Sequence, residues 1–95
     1  MSNPTLLVLA SLAESDKHGY AIMEDIQSFA GVRLGPGTLY GAITRLEERG
    51  WIRPVRTSGR RQPYSLTALG KQHLAKQLAA LNKVMEIGEH RLRHA

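Results

Sequence analysis

Apolar residues near the start of the chain predict a first helix that is hydrophobic on several sides. Asn3 and Pro4 have the form of a helix cap followed by proline at the first helical position. Almost every residue that follows is apolar: Leu6, Leu7, Val8, Leu9, Ala10, Leu12 and Ala13. Such a helix is buried on more than one side. In a chain of 95 residues, part of that burial can come from a second copy.

A polar break at residues 14–19 precedes a second predicted helix, over residues 20–29. Gly31 is suited to a left-handed helix end. The apolar positions recur at helical spacing and predict a core face. They are Ile22, Met23, Ile26 and Phe29.

The third predicted helix begins at Pro36 and is closed by Gly50. Its apolar positions form one stripe, made of Leu39, Ile43 and Leu46, with Ala42 beside it. The opposite side is small and polar, with Gly37, Gly41, Thr44, Arg45 and Glu48, flanked by Thr38 and Tyr40. This helix therefore has one face without the large apolar side chains that would pack in the core of the domain.

Residues 51–57 and 61–66 form two short extended runs around a Ser-Gly turn, which predicts a hairpin. Each run contains a proline, so neither is expected to be a central strand of a large sheet. We expect Trp51 to pack where the third helix meets the first strand.

A long last helix is predicted over residues 68–93, capped by Thr67. Its inner positions recur at steps of four and three, the spacing of a helix packed along another helix. These positions are Leu74, Leu78, Leu81, Met85, Gly88 and Leu92. The stripe predicts a dimer interface, packing on the first helix, or both.

The order of elements is helix, helix, short connector, helix, two-stranded hairpin and long helix. This order predicts a mainly α fold with a small β-wing, a dimeric winged helix-turn-helix protein. Residues 1–66 would form the DNA-binding domain and residues 67–95 the dimerisation helix, within one compact unit.

The charge distribution indicates a polyanionic partner. Residues 50–84 contain no Asp or Glu, although the first 48 residues carry more acids than bases, and the chain has a net charge of +5. A basic block on a small domain is typical of nucleic-acid binding, while a basic surface that only aids solubility is the alternative. The block comprises Arg49, Arg53, Arg56, Arg60, Arg61, Lys71, Lys76 and Lys83.

Other classes of protein are disfavoured. The chain has no cysteine, which excludes a disulfide framework, and no apolar run is long enough for a membrane span. We therefore expect a cytoplasmic protein without a membrane partner. His90 and His94, with Glu86 one turn earlier, have a spacing that can chelate a metal. We interpret them as exposed side chains, and expect no metal, no cofactor and no catalytic residues.

Three segments carry a resemblance to a known family. The segments HGYAIMEDI, GPGTLYGAITRLEERGWI and GRRQPYSLTALGKQHL together closely resemble the PadR-like transcriptional regulators, over residues 6–78. The resemblance implies a dimeric DNA-binding repressor of the compact branch, with one C-terminal dimerisation helix. It also implies that a small-molecule effector is possible, in a pocket between protomers that would be lined by Leu6, Leu9, Leu81 and Met85.

In this fold the third helix places its first residues against base edges in the major groove, and arginines of the wing reach the minor groove or its phosphates. The predicted DNA-binding residues are Lys17, Tyr20, Gly37, Thr38, Tyr40, Gly41, Arg45, Arg60, Arg61 and Gln62. The predicted dimerisation residues are Leu6, Leu9, Leu74, Leu78, Leu81, Met85 and Leu92.

Several of these residues have a second interpretation. Gly41 suits a tight helix crossing as well as a close approach to DNA, Tyr20 and Tyr40 could be packing aromatics, and Arg45 could pair with Glu48. For the whole protein, a homodimer would place two recognition helices about 34 Å apart and require a palindromic operator. The alternative is a winged-helix interaction or assembly module without specific DNA binding.

Overall fold

The computed structural model describes residues 3–95, so the first two residues of the predicted DNA-binding domain lie outside the described range. The predicted order of helices is confirmed, and the fold is mainly α with a small β-wing. The elements are α1 (Pro4–Glu14), β1 (Lys17–His18), α2 (Gly19–Ala30), α3 (Pro36–Glu48), β2 (Ile52–Pro54), β3 (Pro63–Leu66) and α4 (Ala68–Arg93).

The helix ends follow the local signals in the sequence. The Asn3 side chain accepts a hydrogen bond from the backbone N–H of Leu6 at 3.2 Å, which caps α1. The Thr67 hydroxyl accepts from the N–H of Gly70 at 3.0 Å and caps α4. Gly31 and Gly50 have φ of +66° and +75°, the left-handed conformation that ends a helix most readily at glycine.

The sheet has one more strand than the predicted hairpin. Three antiparallel strands lie in the order β1-β3-β2, so β3 is the middle strand. Lys17 pairs with Tyr64 on one side of β3, and Ile52 pairs with Leu66 on the other. A two-residue strand has no alternation of its own, and only its tertiary pairing defines it. The pairing of β1 with β3 joins the hairpin to the start of α2.

The core is built around α1, which packs against α2, α3, α4 and β3. The multi-sided burial of α1 is therefore largely supplied by its own chain. The core residues are Val8, Leu9, Leu12, Ile22, Ile26, Leu34, Leu39, Ala42, Ile43, Leu46, Ile52, Tyr64, Leu66 and Leu74.

Two residues predicted at the dimer interface belong to this core. Leu9 is fully buried within its own chain, and Leu74 is nearly so. Leu9 leaves no exposed surface for a second copy and Leu74 only 6%, so the structure places both side chains in the core of their own chain. A heptad spacing identifies the side of a helix that packs, and the first turns of α4 pack on their own domain.

Phe29 was expected in the core, but its side chain is 51% exposed. Helical spacing correctly places it on the same side of α2 as Ile22 and Ile26, which are buried. Burial also requires a neighbouring element opposite that turn. Phe29 lies in the last turn before Gly31, where that neighbour is lacking among the described residues.

The start of α4 is fixed closely to the turn between α3 and β2. A Cβ at Gly70 would overlap with the carbonyl oxygen of Trp51, so only glycine allows this approach. The N–H of Thr67 donates to that same carbonyl at 3.1 Å, and the Thr67 hydroxyl donates to the carbonyl of Gly50 at 2.7 Å. The indole of Trp51 stacks on His73 with 3.5 Å between ring centroids, a contact across elements that sequence spacing does not reveal.

The second half of α4 extends away from the domain. Every residue from 78 to 95 is exposed, and the molecule measures 56 × 26 × 20 Å along its principal axes. The exposed apolar side chains of this segment include Leu78, Leu81, Val84, Met85, Ile87 and Leu92. We call residues 78–93 the projecting half of α4.

Candidate nucleic-acid interface

The outward face of α3 is open at two glycines in its N-terminal half. In the described chain, a Cβ at Gly37 would meet no atom within 4 Å, and one at Gly41 would meet only the Nη1 atom of Arg45, at 3.6 Å. Among residues 3–95 no other helix crosses at Gly41, so a tight helix crossing within the described chain is not the reason for this glycine. These glycines leave room for a binding partner to approach the helix backbone.

Tyr40 connects α3 to the start of α2. Its side chain is 48% exposed, yet a Cβ at Gly19 would overlap with its phenol oxygen. The ring therefore covers the first residue of α2 while one side stays accessible. The packing interpretation of Tyr40 therefore holds, and its contact with DNA stays a prediction that the exposed part of the ring allows.

Tyr64 lies in the same region, on β3, and is buried. Burial is the largest cause that raises the pKa of its phenol, because it disfavours the charged form; the Glu47 carboxylate and the Tyr40 phenol raise the pKa further. Tyr64 thus remains neutral wherever a free tyrosine does. It forms an uncharged support for the wing.

The wing, defined as residues 55–62, reaches back to the start of α2. The Nη1 atom of Arg61 lies 3.2 Å from Nε2 of His18, and Nδ1 of His18 is 3.4 Å from the backbone N–H of Ala21, which it caps. A neutral imidazole has a single acceptor nitrogen, so the ring accepts from one of these donors at a time. His18 was not among the predicted site residues, and its contact with Arg61 follows only from the fold.

A cleft of about 540 Å³ forms where the start of α2, the first turns of α3 and the wing converge. It brings together five predicted DNA-binding residues, and its described lining contains three phenols and two guanidiniums but no carboxylate. This is the chemistry of an anion-binding surface. We call it the basic cleft; it is lined by His18, Gly19, Tyr20, Tyr40, Arg60, Arg61, Gln62 and Tyr64.

Lys17 does not line this cleft, and its contacts within the protein argue against its predicted role as a DNA-binding residue. Its side chain is only 11% exposed. The ammonium donates to the carbonyl of Ser11 and lies 3.1 Å from a carboxylate oxygen of Glu14 and 3.8 Å from one of Asp25. Asp25 also accepts from the Ser11 hydroxyl at 2.7 Å. Lys17 therefore neutralises an internal acid.

The side-chain amide of Gln62 also forms its hydrogen bonds within the protein. Its amide nitrogen donates to the carbonyls of Val55 at 2.9 Å and Pro63 at 2.8 Å, which closes the base of the wing. Phosphate oxygens only accept hydrogen bonds, so Gln62 has no free donor for them in this conformation. In this conformation Gln62 shapes the wing through its amide nitrogen, and a contact of its amide oxygen with a base stays a prediction.

The side chains of the other predicted DNA-binding residues are exposed. Arg45, Arg60 and Arg61 are exposed, and none forms an ion pair with a carboxylate within residues 3–95. The expected alternative for Arg45, a pair with Glu48, is absent there. Thr38 and Tyr20 are exposed as well.

The described residues contain neither a cluster of metal-binding side chains nor a membrane-spanning helix. The His, Asp and Glu side chains of residues 3–95 form no cluster of three or more that could hold a metal ion; His90 and His94 lie near each other, with ring centroids 4.4 Å apart. No helix in that portion combines the length and apolar character needed to cross a membrane.

Comparison with known proteins decides the family. The model of the transcriptional regulator PadR-like family matches residues 8–76. The chain belongs to the PadR-like family. PadR-like proteins are transcription regulators, so the expectation of a protein that is not an enzyme is confirmed by its membership.

Two curated relatives have similar sequences. An uncharacterized 37.1 kDa protein in transposon TN4556 of Streptomyces fradiae is 42% identical over 79 residues, which is 83% of this chain and 23% of that protein. The chain thus spans less than a quarter of that relative. Protein X of Lysinibacillus sphaericus is 30% identical, covering 85% of this chain and 80% of its own length.

Solved structures of PadR-like and related regulators share the fold. A PadR family transcription regulator from Clostridium difficile R20291 superposes with a TM-score of 0.85 at 26% identity, covering 96% of this chain and 99% of that one. A transcriptional regulator from Clostridium thermocellum gives a TM-score of 0.80 at 25% identity, covering 88% and 84%.

Proposed function

We propose that this PadR-like protein is a homodimeric transcriptional repressor that binds a palindromic operator and is released from it by a small-molecule ligand. The observation that carries the proposal is the basic cleft. There the start of α2, the first turns of α3 and two wing arginines meet without a carboxylate in the described lining.

The proposed docking follows from the geometry of these three elements. The N-terminal half of α3 enters the major groove, where Gly37 and Gly41 let the backbone approach base edges. Tyr20 and the first backbone N–H groups of α2 contact a phosphate, which is favoured by the positive end of the helix dipole. Arg60 and Arg61 contact the minor groove or its phosphates beside that site.

The projecting half of α4 supports the homodimer. Its side chains Leu78, Leu81, Met85 and Leu92 are exposed, with Leu92 as much as 79% exposed, and apolar patches of this kind mark interaction sites. A second copy supplies an identical stripe, and a two-fold arrangement makes the two stripes complementary. The same symmetry repeats the half-site in the DNA, so the operator is a palindrome.

The effector is proposed to bind between protomers near α1 and α4. Leu6 is partly exposed on α1, and Leu81 and Met85 are exposed on α4, so these three residues offer an apolar lining. Leu9 is fully buried in its own chain and offers no surface to that lining. A ligand that fits only one arrangement of the two protomers shifts the population toward that arrangement. When that arrangement does not match the spacing of the two half-sites, the protein dissociates from the operator.

Selection of bound sequences from random duplex DNA tests this function. We expect a palindrome whose half-sites are centred about one helical turn apart, and an affinity that falls steeply with salt. Binding without preference for any sequence, together with self-association that is insensitive to salt, would instead identify an interaction or assembly module.

A further inference from the structure

Thr44 occupies a special position on α3. The centre of the outward face runs through Gly37, Gly41, Thr44 and Glu48, at steps of four, three and four residues. The first two positions have no side chain. Thr44 is therefore the first side chain that this line presents to a surface approaching from the N-terminal end of the helix.

The hydroxyl of Thr44 is turned back to its own helix. It donates its only proton to the backbone carbonyl of Tyr40 at 2.9 Å. The group that Thr44 offers outward as a specific feature is then its methyl, on an exposed residue. The neighbouring Gly41 adds no side chain that would cover it; the closest atom to a Cβ there is Nη1 of Arg45, at 3.6 Å.

In the major groove, a methyl group has one distinctive counterpart. Thymine alone carries a C5 methyl, and small apolar groups such as the methyl of threonine recognise it by contact. We propose that Thr44 is a specificity-determining residue that selects thymine at one position of each operator half-site through its methyl group. This inference rests on the proposed function, since it requires α3 to lie in the major groove of a specific operator.

The test replaces single thymines of the selected operator by deoxyuridine, which removes the C5 methyl and keeps base pairing. With wild-type protein, one position per half-site is expected to lose about fourfold in affinity, or about fifteenfold when both half-sites are changed. Thr44→Ser keeps the hydroxyl and its bond to Tyr40 but lacks the methyl. It is expected to bind the thymine and uracil operators equally well.

Two further variants sharpen the comparison. Thr44→Val retains a methyl at the same position and is expected to keep the discrimination between thymine and uracil. Thr67→Ser removes a methyl at the start of α4, outside the predicted DNA-binding residues, and keeps the hydroxyl that caps α4. It is expected to leave the wild-type profile unchanged.

The outcomes separate this inference from the proposed function. If wild-type protein selects an operator but Thr44→Ser retains the wild-type discrimination, or no thymine methyl contributes at all, the role of Thr44 is refuted while the repressor proposal stands. If wild-type protein selects no sequence, the proposed function fails and this inference fails with it.

Discussion

Lys17 is a basic residue close to a basic surface, but its side chain is directed to partners within the protein. Its position before α2 is compatible with a phosphate contact, but its ammonium is enclosed by oxygens of Ser11, Glu14 and Asp25. A charge that is removed from water requires such partners. Sequence identifies the charge but not the oxygens, because these become neighbours only when α1, β1 and α2 pack together.

Lys17→Met should therefore reduce the stability of the protein. We expect a loss of about 2 kcal/mol in the free energy of unfolding, since the Ser11 carbonyl loses a charged hydrogen-bond donor and Asp25 loses a neighbouring positive charge. Urea denaturation followed by circular dichroism measures the loss. The exposed Lys76→Met serves as a control and should change stability by less than about 0.5 kcal/mol.

The dependence of operator affinity on salt provides a second readout for Lys17→Met, measured on folded protein at low temperature. We expect the wild-type slope. A shallower slope together with unchanged stability would mean that Lys17 contacts phosphate after all.

Tyr64 gives an alkaline pH dependence of stability. Burial raises the pKa of its phenol in the folded state above that in the unfolded chain, so the stabilisation is complete below the ordinary tyrosine pKa and is lost as the pH rises through the folded-state value. The free energy of unfolding should therefore decrease above about pH 10. Tyr64→Phe should show a smaller decrease over the same range when both proteins are unfolded in urea; equal decreases would contradict the assignment.

At the scale of elements, the local signals in the sequence define most of the structure. Caps at Asn3 and Thr67 and glycines after α2 and α3 mark ends that the structure confirms. The missed strand β1 and the exposed Phe29 have the same origin. Both depend on which element lies opposite, and neither a two-residue strand nor the last turn of a helix carries that information.

The wing is the element whose charge should be visible in DNA binding. Replacing Arg60 and Arg61 by alanine should weaken binding to all sequences and reduce the slope of log affinity against log salt by about 2 per protomer. Fluorescence anisotropy on the selected operator at several salt concentrations measures the slope. Arg91→Ala with Arg93→Ala removes the same charge from the end of α4 and should leave most of the slope intact, whereas an unchanged slope for the wing variant would argue against a wing contact.

Two glycines of α4 should respond in opposite ways to alanine. Gly70→Ala adds a Cβ that overlaps with the Trp51 carbonyl, and we expect a loss of about 1–3 kcal/mol in stability although alanine favours helix. Gly88→Ala meets no atom within 4 Å in the described chain and should gain about 0.5–1 kcal/mol. Thermal denaturation of the pair compares the two effects within one helix; similar melting temperatures would show that α4 does not depend on the close approach at Trp51.

At the scale of the whole molecule, the division between core and interface within α4 is the part that sequence could not supply. The repeat from Leu74 to Leu92 is continuous in the sequence, yet Leu74 is buried in the domain while the projecting half is exposed. α1 packs against α4 in the domain, and α4 is exposed from residue 78 onward. No periodicity along α4 alone marks that point.

The projecting half should determine oligomeric state. Leu81→Asn combined with Met85→Gln keeps the net charge and removes two exposed apolar side chains from the stripe. We expect a folded monomer in analytical ultracentrifugation and a large loss of operator affinity, because two half-sites are no longer bound together. Ala79→Gln, on another side of the helix, should remain a dimer; a stable dimer of the double variant would place the interface elsewhere.

The first turn of α4 is closely attached to the turn after α3. A change in the tilt of this long helix therefore moves the DNA-binding domain with it. A helix of 26 residues is about 39 Å long, so tilting it by about 10° moves its far end by about 7 Å, which is roughly two base-pair steps. In the proposed dimer, a small ligand bound between the two α4 helices would therefore be enough to shift the two α3 helices out of register with successive major grooves.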